Sequence, residues 1–398
     1  MGSPARVAIL AAKRTPLGKF LGSLSKVPAV ELGRIAAEAA LSEIPVQPAD
    51  VDEVIFGNCI QAGLGQNPAR QVQLGLNIPF ERGAVTVNKV CGSGLESILL
   101  GCARIKAGEV ELVLAGGMES MSLAPYLLPR ARTGLRYGDA PIVDSITRDS
   151  LEDAYGAGLM GVTAEGTARR NSVSREEQDR FALRSNQLAA RARSEGNFRS
   201  ETVPVPPDAQ RGIPGLDHDE GVRGDTTLER LGRLRPVFQD DGTVTAGNSS
   251  QLSDGAAALV LASEAMATRL GLVPLAWIHS SHSGGVEPVR ITESPIPTVR
   301  AHLAKTGFTL ADLDLVEINE AFAASTVAFL HEIPVPDAKF NVNGGAIALG
   351  HPIGCSGARI IVTLAHALRS RKAMRGLASL CMGGGNGLSL MLENPAGS

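Results

Sequence analysis

The sequence has no large excess of charge of either sign. Its 38 Lys and Arg against 41 Asp and Glu leave a formal net charge of −3. That argues against general nucleic-acid binding, which needs a concentrated basic face. A long apolar run is also missing, since none approaches the roughly 18 residues of a membrane-spanning helix. The best candidate, "SILLGCARIKAGEVELVLAGG", is broken by Arg104, Lys106, Glu109 and Glu111. The N-terminal "MGSPARVAIL" has neither an apolar leader nor a cleavage site, and enters a strand pattern almost at once. Neither nucleic acid nor membrane is expected as a partner, and a soluble protein of a reducing, cytoplasmic compartment is expected.

Cysteine is scarce and shows no pairing pattern. The five residues, Cys59, Cys91, Cys102, Cys355 and Cys381, are scattered and form no CxxC. A disulfide framework is not expected in so large a chain, and structural zinc lacks its usual spacing. The plain expectation for any one of them is a small buried hydrophobe.

What the chain has is core-forming material. Its 398 residues are 44% hydrophobic, enough for two or three core-bearing units. Continuous apolar runs such as "RVAILAA", "VDEVIFGN", "AVTVNKV" and "ELVLAGG" alternate with helical patterns such as "AVELGRIAAEAALSEI" and "LESILLGCARIKAG". This is an α/β pattern, and the runs predict parallel strands buried on both faces. The order then repeats. "ADVDEVIFG" is echoed by "ADLDLVEIN", "VTVNKVCGSGLESILL" by "FNVNGGAIALGHPIGCSGARIIVTL", and "ELVLAGG" by "GLASLCMGGG". An internal duplication is expected: a first half over residues 1–270 and a second over 271–398. From about residue 122 to 247 an insertion rich in Arg and Pro interrupts the first half. It contains a helix opened by Ser174 with Glu177 three residues on, and closed at Gly196. An insertion of this length usually serves as a lid or ligand platform.

Few residues sit where chemistry is done. Cys91 follows a strand and precedes "GSG" and a helix, where backbone N–H groups and the positive dipole end favour a thiolate nucleophile. Cys381 ends the strand "LASLC" before "MGGGNG". That glycine turn fits neither phosphate-loop nor dinucleotide patterns, and reads as letting a backbone N–H approach a substrate oxygen. His351 alone among the histidines is set among glycines. Asn319 lies where the strand "LVEIN" gives way to a helix, a position that helix capping alone would also explain.

These residues lie in stretches that resemble the thiolase family, of acetyl-CoA acetyltransferases and 3-ketoacyl-CoA thiolases. The matching stretches are "NKVCGSG", "AGGMESMSLAPY", "TVTAGNSSQLSDGAAA", "NEAFA", "NVNGGAIALGHPIGCSGAR" and "CMGGGNG", spread over nearly the whole chain in the family's order. The resemblance implies a five-layered αβαβα thiolase fold, and ping-pong acyl transfer between acetyl-CoA, CoA and 3-oxoacyl-CoA without metal or redox cofactor. It implies Cys91 as the acylated nucleophile, His351 as its base, and Cys381 as the acid/base for the C2 proton. It implies Asn319 as holder of an oxyanion-hole water, and the N–H groups of Cys91 and Gly383 as a second oxyanion hole. Arg223 corresponds to a residue beside the CoA adenine and Ser250 to a pantetheine contact. Met160, Ala321 and Phe322 correspond to channel-lining positions. Leu159 stands where short-chain members often carry histidine, Ile291 where they carry methionine, and Arg230 where serine is common. Family members are usually dimers or dimers of dimers, so a homodimer or homotetramer is expected. A β-ketoacyl synthase and a non-catalytic lipid-binding relative are the rival readings. The second cysteine and "NEAFA" oppose the first, and the full set of four catalytic positions opposes the other.

Overall fold

The computed structural model describes residues 6–395. Residues 1–5, which open "MGSPARVAIL", and 396–398, at the end of the sequence assigned to the second half, lie outside the described residues. The strands that carry the architecture are β1 (Val7–Arg14), β2 (Glu53–Gly57), β3 (Gly83–Val87), β4 (Leu112–Ser120) and β5 (Ser253–Ser263) in the first half. In the second half they are β6 (Ala276–Gly285), β7 (Leu315–Ile318), β8 (Arg375–Met382) and β9 (Asn386–Glu393). Their order across the sheet is β7-β8-β9-β6-β1-β5-β4-β2-β3.

The sheet is mixed, where the apolar runs predicted parallel strands. β2 runs parallel to β3 and β4, and β7 to β8. β5 is antiparallel to both β1 and β4, and β9 to both β8 and β6. A strand covered on both faces reads as one apolar run whatever the direction of its neighbour. β5 is buried along its whole length and still antiparallel on both sides. The duplication is plain in the topology. The chain β2–β4–β5–β1 recurs as β7–β8–β9–β6 with the same relative directions, and Phe340, bridged in parallel to Val316, takes the place of β3.

The half-sheets are joined through Val7–Ile9 of β1 against Ala276–Ile278 of β6. Between their inner faces lie α3 (Ser93–Lys106) and α8 (Ile353–Ser370), which put Leu95, Ile98, Ile360 and Ile361 against Leu259 and Leu390. The outer face of the first half carries α1 (Ala29–Ser42) and α2 (Pro68–Gly75). That of the second carries α6 (Pro295–Thr306) and α7 (Ala323–Glu332). The result is five layers, αβαβα.

The inserted segment contributes α4 (Met160–Arg170) and α5 (Arg175–Glu195). α5 begins with the expected capping box, Ser174 and Glu177 exchanging hydrogen bonds. It ends at Gly196 with φ 76°, a conformation that glycine adopts without strain. Arg14 anchors the insertion to β1. Its fully buried guanidinium donates to Glu201 at 2.6 Å and to both oxygens of Asp219 at 2.7 and 3.0 Å. Removing one partner of so buried a pair costs about 3–5 kcal/mol.

Candidate active site

Because the halves are duplicates, α3 and α8 start at equivalent positions and meet near the end of β4. Glycine makes the approach possible. A Cβ at Gly94 would lie 2.7 Å from the Ala358 nitrogen, and one at Gly117 2.2 Å from the Gly354 oxygen. The turn before α3 presents Cys91, and the loop before α8 presents His351.

The Cys91 turn is strained. Val90 has φ 51°, which is exceptional for a β-branched side chain and costs about 1–3 kcal/mol. Ser93 holds the turn: its hydroxyl donates to the Val90 oxygen at 2.6 Å and accepts the Lys89 N–H at 2.9 Å. At Gly92 a Cβ would fall 1.9 Å from Met382 Sδ, so only glycine lets the end of β8, with Cys381, come this close. Cys91, His351, Cys381 and Gly383 then line one cavity of about 50 Å³.

His351 follows Gly350, whose φ of 117° and closeness to Ser253 Oγ (2.2 Å from an added Cβ) leave no room for a side chain. The His351 N–H donates to the Gln251 oxygen at 2.9 Å. Ser356 Oγ donates its own proton to the Pro352 oxygen at 2.9 Å and therefore accepts from His351 Nδ1. This network assigns the ring proton to Nδ1 and leaves Nε2 with its lone pair. Burial, aided by the Arg359 charge, pushes the imidazole down to about 4, so the ring is neutral.

The thiols are neutral too, which corrects the expectation of a thiolate at the helix terminus. Burial drives the Cys91 thiol well above its ordinary range, and Cys381 beside it adds to the shift. The N–H groups of Cys91 and Gly383 point at the sulfur and act in the opposite direction, but desolvation wins. Burial also pushes Cys381 up to about 11. A neutral imidazole and a neutral thiol on one cavity wall become an ion pair only when a proton moves between them.

Asn319 follows directly on β7 and is buried, with neither side-chain polar atom bonded to protein. It is not on the cavity wall; its neighbours Ala321 and Phe322 are. Such a buried amide is satisfied by water or by a substrate oxygen. Met160 and Ile291 line the same cavity, together with Leu151 and Met382, which the sequence reading had not singled out. Leu159 lies off the wall, exposed and bridged to Glu152. Ser250, Phe322 and His351 also border a cleft of about 580 Å³ that reaches outward to Arg223. Arg223 in turn borders an outer hollow of about 250 Å³ with Asp225, Arg230 and Gln251. The candidate residues from Arg230 to Cys91 thus follow one path. Among the described residues no group of His, Cys, Asp and Glu is arranged to hold a metal ion.

Fold and site together fit an acyltransferase. Comparison narrows the class. Residues 7–265 match the thiolase N-terminal domain and residues 272–394 the thiolase C-terminal domain. The chain belongs to the thiolase family. It is 50% identical to an acetyl-CoA acetyltransferase of Chromobacterium violaceum over 98% of this chain and 100% of that protein. With an acetyl-CoA acetyltransferase of Escherichia coli (strain K12) it shares 48% identity over 97% of this chain and 98% of that protein. Among solved structures, human mitochondrial 3-ketoacyl-CoA thiolase superposes with a TM-score of 0.95 at 42% identity, covering 99% of this chain and 100% of the other.

Proposed function

We propose that the protein is an acetyl-CoA C-acetyltransferase that makes or cleaves 3-oxoacyl-CoA by ping-pong acyl transfer, with acetyl-CoA, CoA and 3-oxoacyl-CoA as substrates and no cofactor. The observation that carries the reading is the convergence of Cys91, His351, Cys381 and Gly383 on one small cavity at the foot of a long cleft. In the first half-reaction His351 Nε2 takes the Cys91 proton as the sulfur attacks the thioester carbonyl. The tetrahedral oxyanion faces the N–H groups of Cys91 and Gly383, each such donor contributing about 3–4 kcal/mol. CoA leaves as a thiol with the proton from His351. In the second half-reaction Cys381 passes its own proton to His351 and, as the thiolate, takes the C2 proton of the incoming thioester, whose enolate oxygen is held near His351 and a water on Asn319. The carbanion then attacks the acyl carbon on Cys91, the carbon–sulfur bond breaks, and the departing Cys91 thiolate recovers a proton from His351. A carbon base of this kind works only with water kept away, and the cavity wall of Leu151, Met160, Ile291 and Phe322 is apolar.

We read the chain as two halves, residues 1–270 and 271–398. Residues 122–247 form the platform for CoA, whose nucleotide end lies by Arg223 and its pantetheine arm by Ser250. A second copy of the chain completes the molecule, as homodimer or homotetramer. β3 is a sheet edge with Val85 exposed beside Leu74 and Phe80, and the inserted segment holds Leu128, Tyr137 and Ile142 out to solvent. Free thiols throughout and the absence of any membrane-length apolar helix among the described residues support a cytoplasmic setting. Incubation with acetyl-CoA followed by peptide mass spectrometry tests the central step. Acetyl is expected on Cys91, and label confined to Cys381 or Cys355 would reverse the assignment.

A further inference from the structure

Beneath the site lies a carboxylate that the reaction above does not use. Glu119, at the end of β4, is fully buried, and the groups that bond it are all neutral N–H donors. Oε1 accepts from Asn58 Nδ2 at 2.7 Å and the Ile60 N–H at 3.2 Å; Oε2 accepts from the Cys59 N–H at 3.0 Å and the Gly354 N–H at 2.9 Å. These donors belong to the loop after β2 and to the first turn of α8, just past His351 and Pro352. The loop continues the connection to the nucleophile: Asn88 Nδ2 donates to the Cys59 oxygen at 3.3 Å, and Asn88 Oδ1 accepts the Val90 N–H at 3.0 Å. A single carboxylate therefore ties together the segments that carry Cys91 and His351. The fit is close, since a Cβ on Gly354 would lie 2.9 Å from Oε2.

We propose that Glu119 is a positioning residue with an electrostatic role: it clamps the Cys91 and His351 segments together, and its unpaired negative charge keeps the proton on Cys91 until His351 takes it. A buried anion facing only amides repels a second anion placed nearby, while leaving a neutral thioester untouched. The free thiolate is disfavoured and the acylated enzyme is not. A thiol so held resists alkylation and oxidation between turnovers. The titratable groups that face Glu119 are Cys59 on the loop after β2, Cys91 before α3 and Cys355 on α8. Asp149 acts on Cys59, and Arg359 on Cys355. The carboxyl itself is pushed up to about 7 by burial against the pull of its four donors.

The inference rests on Cys91 being the nucleophile, a reading that the acetylation experiment tests separately. Its own test is the pH dependence of Cys91 alkylation by iodoacetamide, followed site by site by mass spectrometry. In Glu119→Gln the midpoint should fall by about one pH unit. In Glu119→Asp, which keeps the charge but shortens the clamp, the midpoint should stay near that of the unaltered protein while kcat drops. An unchanged midpoint in Glu119→Gln, or an equal shift in both variants, overturns the proposal. The unaltered protein supplies an arm that needs no variant. Because coupling is reciprocal, an anionic carboxymethyl group on Cys91 should raise the Glu119 titration, read by carbon-13 carboxyl NMR, by about one pH unit over a neutral carbamidomethyl group. Equal titrations in the two adducts overturn the proposal as well.

Discussion

Replacing Ser356 with alanine tests how the base is prepared. The Ser356 hydroxyl is the group that accepts from His351 Nδ1, and its own proton is committed to the Pro352 oxygen. Without it the Nδ1–H is left buried and unbonded, at a cost of about 1–3 kcal/mol. The ring escapes that cost by moving its proton to Nε2, the nitrogen that must accept from Cys91. Protonating both nitrogens offers no relief, because burial holds the imidazole near 4. A tautomer bias of 1.4–2.8 kcal/mol corresponds to a drop of about 10- to 100-fold in the competent form, and so in the rate of Cys91 acetylation. The KM for acetyl-CoA should hardly move, since the hydroxyl lies behind the ring. Single-turnover acetylation followed by mass spectrometry gives the rate, and thermal unfolding shows whether the variant is folded. A folded Ser356→Ala protein that acetylates within twofold of the unaltered protein would refute the assigned tautomer.

Four other outcomes follow from the same geometry. Cys381→Ala should leave acetylation of Cys91 measurable while abolishing exchange of the C2 proton of acetyl-CoA with deuterated water; unimpaired exchange sinks the role assigned to Cys381. Asn319→Ala should lower kcat by about 10²- to 10³-fold with little loss of stability, because the amide makes no protein hydrogen bond through its side chain; a small kcat effect with a large fall in Tm would make it structural. His302, buried between Ser280 and Ser389, is pushed down to about 4 by burial and by His282 and His279. Its folded pKa lies below the unfolded value, so its stabilisation is present above about pH 6.5 and lost as pH falls towards 4, by roughly 3 kcal/mol. Raised carboxyls such as Asp254 and Glu119 gain stability over part of that window, so the quantity to measure is the Tm difference between the unaltered protein and His302→Gln, which should shrink as pH falls. Finally, an apolar wall of Leu151, Met160 and Ile291 contributes up to about 0.8 kcal/mol per added methylene, so kcat/KM should fall less than tenfold from acetoacetyl-CoA to 3-oxohexanoyl-CoA; a steeper fall shows a closed pocket.

Much of this molecule is legible in its sequence, and the parts that are not share a physical cause. Local codes were readable: the Ser174–Glu177 capping box and Gly196 gave α5 its ends, and the echo of "ADVDEVIFG" by "ADLDLVEIN" pointed to the two halves. The candidate side chains Cys91, His351 and Cys381 were legible as well, because each sits in a stretch with the family's pattern, and the fold brings them to one cavity. Strand direction was not, since burial on both faces makes parallel and antiparallel neighbours look alike. Nor was the charge state of Cys91. A helix terminus favours a thiolate by an amount that depends on solvent, and the fold removes the solvent. Leu159 shows the limit in another way: one residue along from Met160, it is exposed and is not on the wall of the cavity that Met160 lines.

The supporting residues form the last group, and they explain why the site is neutral at rest. Ser356, Val90 and Glu119 carry no signature in the chain, because a serine in a helix or a glutamate in a buried strand acquires its meaning from what the fold sets against it. Ser356 fixes which nitrogen of His351 is free, and the strain at Val90 shapes the turn that carries Cys91. Each of the three candidate groups, Cys91, His351 and Cys381, is pushed towards its uncharged form by the same burial. Charge then has to be created by proton transfer inside the cavity, at the moment a thioester fills it. That arrangement suits carbon–carbon bond chemistry, in which a standing thiolate would be open to water and electrophiles, whereas one formed against a bound substrate meets only the acyl carbon or the C2 hydrogen.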